Sequence, residues 1–153
     1  MNNLNLQRIR EDKELTCKEV AKILNVSSSA YARWEKNLVT IPTRRLYDLS
    51  NYYEINIDYL LGLTNNKIHI KSIEINYTLI AHNTREIRKD YNETLRQFSK
   101  RLNTSNSTWS AYETGKTLIL CSFLIEICLD RKYSADWVLG RSNEKYIKTK
   151  ISV

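Results

Sequence analysis

Apolar residues return at helical spacing through most of the chain and alternate with polar ones only in two short stretches. Val20, Ala21 and Leu24 share one face of a helix that breaks at "NVS" (25–27). A further helix follows at once. In it Tyr31 and Trp34, three apart, form one buried ridge, while Ser28, Ser29, Ala32 and Arg33 point outward. Pro42 opens a fourth helix to about residue 53, and Asn56 caps a short fifth that stops at Gly62, a residue suited to a left-handed end. With a first helix over about 3–13, these make a five-helix unit.

The unit recurs. Sliding the sequence by 78 places residues 9–62 on 87–140 without a gap, with fifteen identities in 54 positions. "TCKE" (16–19) and "TLRQ" (94–97) are both capping boxes, in which the Thr hydroxyl accepts a helix N–H and the third following residue reaches back. The ridge returns as Trp109 and Tyr112, and "DYLLG" (58–62) as "DWVLG" (136–140). The expected fold is mostly α, with two tandem five-helix domains over 1–63 and 82–141. Between and after them, 64–81 form a linker and 142–153 a tail.

Linker and tail carry the alternation. Ile68 and Ile70, and Ile147, Thr149, Ile151 and Val153, predict two short strands that pair into a small sheet. The rival for the later linker is a helix extending through Ile73, Tyr77 and Ile80. A strand over 67–71 and a helix from residue 74 are the assignment taken.

Composition supports helix: three Gly and one Pro leave little for a turn-rich β architecture. The net charge is +7, from 24 basic and 17 acidic residues, and it is spread along the chain rather than held in a tail. This suits an anionic partner without identifying one. Three cysteines match no zinc spacing, and with no signal peptide they read as reduced thiols of a cytoplasmic protein. The longest apolar run is well short of a membrane span. His69 and His82 accompany no nucleophile or phosphate loop, so no enzyme activity, cofactor or metal is expected.

"LTCKEVAKILNVSSSAYARWEKN" with "IDYLLG" resembles the Cro and lambda-repressor type helix-turn-helix family over residues 4–63. The second copy is similar at its turn, at "YETGK" and at "DWVLG", and diverges elsewhere. The resemblance implies double-stranded DNA as partner, with the third helix in the major groove. It assigns base reading to Ser28, Ser29, Ala32 and Arg33, and phosphate contacts to Cys17, Lys18, Lys36, Asn37, Arg44 and Arg45. Arg33 carries most of this, since its guanidinium can bond guanine twice, whereas Ser reads either partner and Ala only a thymine methyl. Cys17 departs from the family's usual Gln; a thiol at a helix start can have a lowered pKa, which admits redox sensing, but a small half-buried Cys is the commoner and preferred reading. The resemblance also implies ion pairs from Arg10 to Glu35 and from Arg88 to Glu113.

The second copy lacks a counterpart of Arg33, having Ala111 there. A second DNA site would use Arg96, Asn106, Ser107, Ser110 and Lys116. Its fourth helix adds Leu118, Leu120, Cys121, Phe123, Ile125 and Leu129 where the first copy is mostly polar, and an apolar surface of that extent must be covered. The favoured reading is a repressor-like regulator whose first copy reads DNA and whose second copy joins a homodimer. The alternatives are a single-chain pseudo-dimer with two readers, and a protein-interaction module such as an antitoxin or inhibitor.

Overall fold

The structure, a computed structural model, describes residues 4–148. The chain divides into two compact units, Met1–Ile73 and Glu74–Val153. The first holds α1 (Leu6–Asp12), α2 (Cys17–Leu24), α3 (Ser28–Glu35), α4 (Thr43–Tyr53) and α5 (Ile57–Leu60). The second holds α6 (Tyr77–Asp90), α7 (Leu95–Arg101), α8 (Asn106–Glu113), α9 (Cys121–Arg131) and α10 (Ala135–Val138). None of these helices is long and apolar enough to cross a membrane.

Local chemistry starts and stops the helices. Thr16 Oγ1 accepts from Glu19 N at 3.1 Å, and Glu19 Oε1 accepts from Thr16 N at 3.2 Å. Thr94 and Gln97 repeat this at 3.2 and 2.9 Å. Each box satisfies two N–H groups that a helix start otherwise leaves to water. Replacing Thr16 by Ala is expected to lower the midpoint of chemical denaturation by the equivalent of ~1 kcal/mol. An unchanged midpoint would show that the box does not stabilise α2.

Between α2 and α3 the chain turns on Asn25, whose φ of 57° and ψ of 47° are left-handed. Asn tolerates that conformation better than most residues. Val26 N donates to Ala21 O at 2.9 Å, and Ser27 Oγ accepts from Ala30 N at 3.1 Å, so α3 starts at Ser28, directly after its cap. Left-handed residues fall at 14, 25, 37, 54 and 62, and again at 92, 103, 115, 132 and 140, each pair 78 apart.

The core of the first unit lies beneath α3, where Tyr31 is fully buried and Trp34 nearly so, their rings edge to face at 6.2 Å. In the second unit Trp109 is fully buried against Phe98 at 4.8 Å and Tyr112 at 5.3 Å. Asn5 Nδ2 donates to Tyr59 O at 2.7 Å and Asn83 Nδ2 to Trp137 O at 2.8 Å, so each first helix is held to its own short fifth helix.

Several expectations need correction. No ladder forms among the described residues of the linker and tail stretches. Each makes one isolated bridge inside its own unit, Ile55 with His69 and Tyr133 with Tyr146. Asn56 N donates to Ile68 O at 3.0 Å and Ile70 N to Glu54 O at 3.1 Å, while Ser134 N donates to Lys145 O and Ile147 N to Lys132 O, both at 2.9 Å. Thr149, Ile151 and Val153 lie outside the described residues.

Asn56 does not cap α5 with its side chain. Its amide instead donates to Asn66 O at 3.0 Å and accepts from Ile68 N at 2.8 Å. Asn51 grips the backbone of Ile73 in the same way, at 2.9 and 3.1 Å. The linker is therefore part of the first unit as far as Ile73. α6 then begins at Tyr77, capped by Asn76, with Ile80 and Ala81 already buried before the expected boundary at 82.

Candidate nucleic-acid interface

With Tyr31 and Trp34 turned inward, the opposite side of α3 presents Ser28, Ser29 and Arg33 to solvent, with Ala32 half-buried beside them. Lys18 is exposed in the first turn of α2. Lys36 and Asn37 are exposed just after α3, where Asn37 takes a φ of 57° and Leu38 N closes back onto Arg33 O at 3.0 Å. Arg44 is exposed and Arg45 partly so in the first turn of α4, and both lie against Asp48, at 3.3 and 3.8 Å. Asp48 stands four residues after Arg44, the spacing at which a helix brings opposite charges together.

Cys17 is placed differently. It is half-buried, and its Sγ lies 3.9 Å from both carboxylate oxygens of Glu35. Burial, followed by the Glu35 charge, pushes the thiol pKa up, and these outweigh the opposing pull of Arg10. The shift runs opposite to the lowering that a helix start can give, and so lends redox sensing no support.

Glu35 also anchors the end of α3. Arg10 Nε donates to Glu35 Oε2 at 2.6 Å and its Nη2 to Oε1 at 3.1 Å, while Nη1 donates to Leu15 O at 2.8 Å. In the second unit Arg88 donates to Glu113 at 2.7 and 2.9 Å and to Glu93 O at 3.1 Å. Such a fork is planar, charge-assisted and twofold, so it sets the orientation of a helix as well as its position. Both guanidiniums are held above their ordinary pKa, chiefly by these hydrogen bonds.

On α8, Asn106 and Ser107 are exposed and Ser110 is half-buried, with Arg96 and Lys116 exposed nearby in sequence. Ser107 Oγ lies 3.1 Å from the capping Ser105 Oγ. The apolar set on α9 is only partly a surface. Cys121, expected on an association face, is buried, and the Phe123 ring is spent on Trp109 at 6.3 Å and Tyr112 at 6.2 Å. An apolar residue added to a helix next to a larger aromatic core is drawn into it. Leu120 and Leu129 remain more than half exposed, with Leu118 and Ile125 half-buried.

Further pairings escaped the sequence. Asp90 accepts from Tyr133 Oη at 2.8 Å and pairs with Lys145 at 2.7 Å, and Tyr146 stacks on Tyr133 at 5.3 Å. These fasten the segment after α10 to its unit. Among the described residues no cluster of three metal-ligating side chains occurs.

Compared with known proteins, residues 6–60 match the helix-turn-helix family, a span that runs from α1 to α5. A curated relative is the "Uncharacterized HTH-type transcriptional regulator YobD" of Bacillus subtilis (strain 168), 30% identical over 59 residues, which are 39% of this chain and 53% of that protein. The chain thus matches about half the length of that relative. No solved structure matches the chain significantly. Residues 6–60, with a capped α2, a left-handed turn at Asn25 and an exposed polar face on α3, are therefore the part of the chain that matches the helix-turn-helix family.

Proposed function

We propose that the protein is a sequence-specific, DNA-binding transcriptional regulator of the repressor type. The first unit lays α3 in the major groove, where Arg33 reads guanine and Ser28, Ser29 and Ala32 line the base edges. Lys18, Lys36, Asn37, Arg44 and Arg45 hold the flanking phosphates. The observation that carries this reading is the exposed Arg33 on a helix whose other side is locked by Tyr31, Trp34 and Glu35 in a domain of the helix-turn-helix family.

The second unit is read as a divergent copy whose Leu120, Leu129, Leu118 and Ile125 join two chains. Support comes from the loss of the Arg33 equivalent to Ala111 together with the exposure of Leu120 and Leu129. A homodimer would then read a near-palindrome with half-sites about 34 Å apart, or a multiple of that. A strictly monomeric complex in sedimentation on DNA would discard this part.

Selection of bound sites from random duplexes, followed by titration against salt, tests the whole. A single enriched motif and steeply salt-dependent affinity are expected. Arg33→Ala is expected to lose ~1–3 kcal/mol of discrimination at one base pair. If that variant keeps full preference at every position, Arg33 does not read a base. Weak binding that ignores salt would favour a protein partner instead.

A further inference from the structure

The first turns of α4 and α9 are equivalent by the 78-residue shift and differ in charge. In α4, Asp48 Oδ1 lies 3.3 Å from Arg44 Nε and Asp48 Oδ2 lies 3.8 Å from Arg45 Nη1. The side chains of Arg44, Arg45 and Asp48 are 50%, 36% and 31% exposed, so this is a solvated arrangement that exchanges partners readily. In α9 the acid is kept as Glu126, while Ser122 and Phe123 stand where Arg44 and Arg45 would be.

A shared carboxylate has a clear consequence for phosphate binding. Asp48 and a DNA phosphate compete for the same guanidinium N–H groups. Residues 1–63 carry nine basic and eight acidic side chains, so one acid is a large share of the balance on this unit. We infer that Asp48 is a positioning residue that acts through Arg44 and Arg45 as a brake on sequence-independent DNA binding. The inference rests on the DNA-binding reading above and assigns its phosphate contacts a built-in restraint. A genome offers ~10⁶–10⁹ competing sites, so affinity for them decides how much protein is left to find its own.

In the second unit the same position holds an exposed acid without either arginine. There the carboxylate has no such guanidinium to restrain, so the brake belongs to the first unit alone.

The test uses the full chain. Binding of a labelled random-sequence duplex is followed by anisotropy from about 50 to 200 mM salt for wild type, Asp48→Asn and Asp48→Glu. Asp48→Asn is expected to bind on the order of tenfold more tightly at the low-salt end, with a salt slope steeper by about one. Asp48→Glu, which keeps the charge, should return to the wild-type curve. With Arg44 and Arg45 both changed to Gln, adding Asp48→Asn should give no gain, because the brake has nothing left to act through. Equal binding by wild type and Asp48→Asn would overturn the inference, and so would a gain that survives removal of both arginines. A wild-type chain that binds no duplex in a salt-dependent way would instead remove the DNA-binding reading, and the brake with it.

Discussion

Replacing Glu35 by alanine is expected to cost the first unit ~3–5 kcal/mol, because it leaves the Arg10 guanidinium without its acid partner in a largely buried place. The Glu35 side chain is 5% exposed and that of Arg10 13%, so water cannot easily take over the lost bonds. The carboxylate also faces Cys17 and closes the last turn of α3. A loss of this size is a large fraction of the 5–15 kcal/mol that holds an ordinary domain together. Segment-resolved hydrogen exchange is the suitable measurement, since it reads α1 to α3 apart from the second unit. A drop in protection of α1 and α3 worth under about 1 kcal/mol would show the pair to be a surface ornament, against the buried-pair expectation. Binding of DNA should fall as well, because the face carrying Arg33 is oriented by the same anchor.

Trp109→Ala should cost the second unit a similar ~3–5 kcal/mol, for a different reason. The ring is fully buried and packs edge-on against Phe98, Tyr112 and Phe123, so its removal leaves a cavity that three rigid rings cannot close. Its indole N–H has no hydrogen-bond partner among the described residues. Trp109→Phe should therefore retain most of the stability: it gives up volume but also relieves an unmet donor. Thermal unfolding followed by near-ultraviolet circular dichroism distinguishes the two variants. Equal midpoints for the alanine and phenylalanine variants would show that ring packing is not what stabilises this core.

The helices and their caps were legible because their causes are local. A Thr followed three residues later by Glu or Gln, an Asn at a turn, and a Tyr and Trp three apart act within about one helical turn, whatever lies around them. The pairs Arg10 with Glu35 and Arg88 with Glu113 were legible for another reason, their recurrence at one spacing in a family-like frame. Asn56 was misjudged because a polar residue before a helix has two equally good uses, and only the path of residues 66–68 selects the second. Cys17 shows the same limit: its place at a helix start argues for a lowered pKa, while its burial and its closeness to Glu35, eighteen residues on, push it up.

What the sequence by itself determined, then, is the order of the helices, the capping boxes of α2 and α7 and the inward ridge of α3, since each follows from neighbours within a few positions. Only the tertiary structure decided that the linker belongs to the first unit as far as Ile73, that Cys121 is core and the half-buried Phe123 packs on Trp109, and that Asp48 sits between two arginines. Those outcomes depend on which groups are brought within bonding distance or hidden from water, and a one-dimensional pattern carries a residue's chemistry but not the company it keeps.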